Sequence, residues 1–110
     1  MNNRLTLLQG FLEKDPSDSF SRYALALEHL KHGDVSEGIR EFETLLQRDP
    51  NYAATYYHLG KTYEKAGRAD DAKSLYQQGI ALTAKSGDAH ANKELKEALF
   101  MLTGGDDDED

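Results

Sequence analysis

The four histidines, His29, His32, His58 and His90, are the first residues to weigh for chemistry. His29 and His32 stand three apart with Glu28 adjacent. On a helix that spacing offers a metal two ligands. Zinc sites need three or four, and the pattern of the chain supplies no third. No metal is therefore expected at His29. His58 and His90 have no acidic partner at a fixed spacing and read as surface or groove residues; His58 is placed to hydrogen-bond a ligand. The absence of cysteine excludes a thiolate zinc site, a disulfide framework and a cysteine nucleophile. The nine glycines form no phosphate-cradling loop. Serine, histidine and aspartate are all present, but in no nucleophile-elbow context. The pair Asp70–Asp71 lies at a helix start, where the helix dipole and capping account for it. Neither catalysis nor a cofactor is expected.

The elements that would position any site must come from a chain of 110 residues, 38% hydrophobic and 30% charged. That is enough apolar material for one domain or a short array of stacked units. No apolar run approaches the length of a membrane span. The start, Met1-Asn2-Asn3-Arg4, shows no secretory signal, so a soluble cytoplasmic protein is expected. Twenty acidic residues oppose thirteen basic ones, for a net charge of −7. Five of those acids, Asp106, Asp107, Asp108, Glu109 and Asp110, close the chain. The body is thus nearly neutral and carries no basic footprint for nucleic acid. The stretch 104–110 has nothing apolar to bury and is expected to be a disordered acidic tail.

Internal repetition is the strongest signal. Asp15-Pro16 recurs as Asp49-Pro50, an offset of 34. In the same register Tyr23 pairs with Tyr57, Leu25 with Leu59 and Gly33 with Gly67. Ala26 matches Gly60, Gly38 matches Ala72, Phe42 matches Tyr76 and Leu46 matches Ile80. A fixed period of this length marks a stacked array. Each unit reads as two helices. The first runs from Phe20 to Lys31 with broad apolar coverage, and Gly33 ends it in the left-handed conformation. Asp34 and Glu37 have capping-box spacing and open the next helix, Ser36 to Arg48, which Pro50 stops. The second unit repeats the plan from Tyr56 to Ala66 and from Asp70 onwards. With Ala84 where a closing proline belongs, its last helix runs on to Ser86 and ends at Gly87. Small residues at Gly38, Ala72, Ala26 and Gly60 permit close helix crossing. A half-unit precedes, Arg4 to Lys14. A last helix, Asp88 to Thr103, carries an inner stripe of Ala91, Leu95, Ala98, Leu99 and Leu102 and a polar outer side, as a terminal cap must.

On these residues the chain resembles the tetratricopeptide-repeat family, whose unit places a large residue, Leu-Gly, Tyr, Ala, an aromatic and Pro within 34 residues. The second unit matches with Tyr56, Leu59-Gly60, Tyr63, Gly67, Ala72 and Tyr76. The first matches with Leu25-Ala26, Gly33, Gly38, Phe42 and Pro50, but has Arg22 and His29 at two usual aromatic sites; the second of these faces the interior of the helix pair in the family, so the resemblance implies that His29 is a satisfied core or interface histidine. The resemblance covers residues 4 to about 102. It implies an all-α, right-handed superhelical solenoid of about six antiparallel helices: a half-repeat at 4–15, repeats at 19–52 and 53–86, and a capping helix at 88–103.

The resemblance also places the first helix of each unit on a concave face. That face would hold Phe20, Tyr23, Leu27, Leu30 and Lys31 from one unit, and Ala54, Tyr57, His58, Lys61, Glu64 and Lys65 from the next. Such a face suits a peptide with apolar anchors and a polar flank, or a partner protein. Tyr23 and Tyr57 are the candidate hot spots. The carboxylate clamp of some chaperone co-factors of this fold is not expected. Its basic positions correspond here to Tyr23, Leu27, His58, Asp88 and Asn92. Phe100 and Met101 lie off the inner stripe of the last helix, which leaves partial burial, a homodimer contact and a partner contact as alternatives. Three roles follow: an interaction module or adaptor, a self-associating assembly unit, or a soluble accessory of a larger complex.

Overall fold

The computed structural model describes residues 3–105. Among these it contains six α-helices and no strand: α1 (Asn3–Lys14), α2 (Ser19–Lys31), α3 (Val35–Arg48), α4 (Ala54–Lys65), α5 (Ala69–Ser86) and α6 (Ala89–Thr103). The acidic stretch 106–110, expected to be disordered, lies outside the described residues.

The helix ends have local causes. Asp18 caps α2 by accepting from the Ser21 amide at 3.1 Å and the Ser21 hydroxyl at 2.6 Å. Those bonds, the hydroxyl's first, hold its carboxyl below the usual carboxylate range. Asp34 accepts from the Glu37 amide at the start of α3, and Asp88 from the Ala91 amide at the start of α6. Each satisfies one of the donors a helix N-terminus leaves open. Gly87 ends α5 with φ +78°, a conformation that costs other residues 1–2 kcal/mol by rough estimate. Without a proline to stop it earlier, α5 reaches 18 residues.

The chain divides into two compact units, Met1–Tyr52 and Ala53–Asp110. In the first, α1 packs on α2 and α2 on α3. Leu8 and Leu12 of α1 meet Ala24 and Leu25 of α2, with Leu5 packed alongside. Ala26, Phe42 and Leu45 are fully buried. Gly38 allows the close approach of α3: a Cβ there would stand 2.6 Å from Leu30 Cδ2 and 3.3 Å from the Ala26 carbonyl oxygen.

In the second unit α4 packs on α5, α5 on α6, and α4 also touches α6. Leu59, Ala72, Tyr76 and Leu95 form its centre. The residue nearest the open side of Gly60 is Tyr76, whose Cε1 would lie 2.3 Å from a Cβ. Gly79 joins three helices at once. A Cβ there would meet Tyr56 of α4 at 2.7 Å and Leu95 of α6 at 2.9 Å. On α6, Leu95 and Ala98 are buried, and Ala91, Leu99 and Leu102 are half-buried around them.

Arg22, unusual at its position in the repeat, has a partner built for it. Its guanidinium donates to Glu41 Oε1 at 2.8 Å and to the Pro16 carbonyl. Both charged side chains are nearly buried. Thirty-four residues on, the same two positions are Tyr56 and Leu75, both buried and apolar. An ion pair in one unit thus stands where the other has two buried apolar residues. Glu28, also buried, is held by Arg4 of α1 at 3.2 Å and by His32 at 3.0 Å.

One buried hydroxyl is not satisfied. Thr55 is fully buried, and its Oγ1 has no hydrogen-bond partner among the described residues. A lone buried hydroxyl costs about 1–3 kcal/mol. Thr55→Val keeps the shape and removes that cost. Urea unfolding followed by circular dichroism should show equal or higher stability, by about 1 kcal/mol. A loss of that size would mean that the hydroxyl is bonded in solution.

Candidate interaction surface

The first helices of the two hairpins, α2 and α4, carry the residues expected to bind a partner.

On α2, Phe20 is 63% exposed and stands in the first turn, free of the core. Tyr23 is half-buried. Its ring lies 6.2 Å from that of Phe42 and 5.8 Å from that of Tyr52, both tilted, a favoured arrangement for aromatic pairs. The side chain is thereby fixed in direction before anything binds. Tyr52 is itself shielded enough for its hydroxyl to titrate above the usual range, with Asp49 and Asp18 adding to the shift. Leu27 is half-buried and Lys31 exposed. Leu30 has a different task, since it covers Gly38 of α3.

On α4, the Tyr57 ring meets the His58 ring edge-on at 5.3 Å, and Lys61 Nζ lies 6.0 Å from the Tyr57 centroid. Lys61 also faces Glu64 at 3.9 Å, and Glu64 accepts a hydrogen bond from the Tyr76 hydroxyl. A chain of contacts therefore runs from the half-exposed Tyr57 to the core. Burial, then the carboxylate of Glu64, raises the Tyr76 hydroxyl far above its ordinary range. His58 is half-buried, and desolvation lowers its pKa although Glu94 opposes the shift. Its imidazole is thus favoured in the neutral form, able to donate and accept. Lys65 is exposed and Ala54 half-buried.

Other sequence expectations change in detail. His90 has an acidic partner after all, Glu94 at 3.4 Å one helical turn on, though both are at the surface. His32 turns to Glu28, not to a site shared with His29. Asn92 donates to the Ile80 carbonyl and to Thr83 Oγ1, so its amide fastens α6 to α5. Asp88 is the α6 cap. Phe100 and Met101 are 61% and 77% exposed, beside Lys96 and Glu97. Leu7 and Phe11 of α1 are also exposed. No helix among the described residues is long and apolar enough to cross a membrane.

Successive helices joined by short turns, paired by small residues at their crossings and repeated along the chain, define an all-α helical-hairpin repeat protein. The tetratricopeptide-repeat profile matches residues 29–96, and the chain belongs to that family. A TPR repeat-containing protein of Pseudomonas aeruginosa is 31% identical over 95 residues, covering 86% of this chain and 90% of its own length. The crystal structure of a tetratricopeptide repeat domain protein from Salinibacter ruber is 47% identical, with a TM-score of 0.76 over 79% of this chain and 98% of that one. The structure of PcrH in complex with the chaperone binding region of PopD shares the fold at 17% identity, with a TM-score of 0.83 over 94% of this chain and 78% of that one.

Proposed function

We propose that this chain is a non-enzymatic protein–protein interaction module that holds a peptide or partner protein on its first helices, using Phe20, Tyr23, Leu27 and Lys31 of α2 and Tyr57, His58, Lys61 and Lys65 of α4. The observation that carries the reading is the state of the two tyrosines. Each has one side pinned, Tyr23 by Phe42 and Tyr52 and Tyr57 by His58 and Lys61, while both are only partly buried. An aromatic group already ordered loses little entropy on binding, and its hydroxyl adds direction. The shared fold of PcrH, solved with a segment of PopD, supports a protein ligand as the class. The repeat boundaries that go with this reading are a half-repeat at 4–15, repeats at 19–52 and 53–86, and a cap at 88–103.

The test is affinity capture from the native cell with wild type and Tyr57→Ala, read by mass spectrometry and followed by titration of the captured partner. Tyr57→Ala should weaken that partner by about 2 kcal/mol, roughly thirtyfold. A partner list and affinity untouched by Tyr57→Ala and by Phe20→Ala would remove the proposed face. Peptides with acidic C-termini should not bind saturably, because no basic clamp stands at the corresponding positions.

A second reading rests on α6, where Phe100 and Met101 are exposed side by side. Lys96 and Glu97 border them. In this reading the chain forms a homodimer. Sedimentation should then show a dimer for wild type and a monomer for Phe100→Asp. A wild-type monomer excludes it.

A further inference from the structure

Packing α2 against α3 gathers three side chains that the linear spacing leaves apart. His29 comes from α2, and Glu37 and Glu41 come from successive turns of α3. One ligand atom from each lies within 4.8 Å of the other two. His29 is only 8% exposed, and among the described residues its imidazole makes no hydrogen bond. A histidine this buried normally has a hydrogen-bond partner, and this one faces two carboxylates instead. We propose that His29, Glu37 and Glu41 bind a divalent first-row transition ion of the Zn2+ type.

The chemistry of the set agrees. One imidazole and two carboxylates are nitrogen and oxygen donors suited to such ions, and the two negative charges match the ion's two positive ones. Ligand atoms on one ion of this size lie about 3–4 Å apart, so binding draws the three groups closer together. Each carboxylate is also oriented from outside. Arg22 holds Glu41 through Oε1, and Arg40 holds Glu37 through Oε1. Among the described residues neither bond uses Oε2, which is left for the ion. Bonds of this kind fix ligand geometry, while the nearby guanidinium charges keep the affinity moderate. Three protein ligands leave the remaining positions to water.

The fold does not require this cluster. At the same register in the second unit the three positions are Tyr63, Asp71 and Leu75. There Arg68 lies over the Tyr63 ring at 4.2 Å and pairs with Asp71 at 2.9 Å, while Leu75 is buried in the core. Ligating residues at all three positions are a property of the first unit alone. The proposal is independent of the partner-binding reading, since it uses none of that surface.

The experiment is calorimetric titration of the untagged full chain, stripped with chelator, with Zn2+ at neutral pH. One saturable equivalent is expected, with a matching rise in melting temperature because the ion binds the folded state. His29→Gln and Glu37→Gln should each weaken binding by at least roughly tenfold. His32→Gln and His90→Gln, each altering a histidine beside a glutamate elsewhere, should leave it unchanged. Should His29→Gln unfold by circular dichroism, Glu37→Gln, on a partly exposed side chain, decides the matter. Absence of saturable heat below millimolar Zn2+, or equal binding by folded Glu37→Gln, overturns the proposal. So does equal binding of Mg2+ that is indifferent to His29, which would mark diffuse attraction to acidic residues.

Discussion

Phe42→Ala is expected to destabilise the chain by about 3–5 kcal/mol, the range for emptying a buried aromatic site. Phe42 is fully buried, and its loss empties part of the core and removes the support of the Tyr23 ring. A cavity there cannot close easily, because Gly38 already brings the helices together through Leu30. Phe100→Ala is the matched comparison. The side chain is the same but 61% exposed, so the change should fall within about 0.5 kcal/mol. Urea unfolding of both variants, followed by far-ultraviolet circular dichroism, measures the difference. If Phe42→Ala unfolds within about 1 kcal/mol of wild type, the assignment of this residue to the core is wrong.

Gly60→Ala should destabilise by about 1–3 kcal/mol through overpacking, even though alanine is the better helix former by about 1 kcal/mol. The sign is set by Tyr76, whose ring carbon would lie 2.3 Å from the new methyl group. The ring cannot swing aside at low cost, because it is fully buried and its hydroxyl is bonded to Glu64. Gly10 provides the opposite case within α1. Nothing lies within 4 Å of a Cβ there, so Gly10→Ala should gain up to about 1 kcal/mol from propensity alone. Thermal melts of the two single variants should move in opposite directions. Parallel shifts would contradict the helix crossing described for the second hairpin.

Much of this was legible along the chain. Gly33 and Gly67, Asp15-Pro16 and Asp49-Pro50, and the aromatic pairs Tyr23–Tyr57 and Phe42–Tyr76 recur in one register. That register implies helical hairpins, and the observed ends of α3, α5 and α6 lie where Asp34, Gly87 and Asp88 indicate. The tight crossing at Gly60 was also visible, as a small residue on a face otherwise large. The candidate binding residues were legible only by position. Their accessibility was not, and Leu30 shows the difference: it has the same apolar character as Leu27, yet covers α3.

Less could be read where two helices meet side by side. Gly79 gave no sign of contacting both Tyr56 and Leu95. Along the chain Arg22 is only a departure from the usual aromatic; its partner Glu41 lies on another helix. The resemblance implies a core or interface histidine at His29, and its nearness to Glu37 and Glu41 follows from no spacing in the chain.

By itself, then, the sequence determined the number of helices, most of their ends and their membership in a repeating unit, although α4 begins at Ala54 and not at Tyr56. Periodicity, capping and glycine conformation act over a few residues and are written locally. The tertiary structure alone decided which charged side chains pair, which buried polar atoms lack partners and which apolar groups stay in water. Those outcomes depend on how far one helix slides and turns against the next, a matter of a few ångströms set by all the side chains in the contact together.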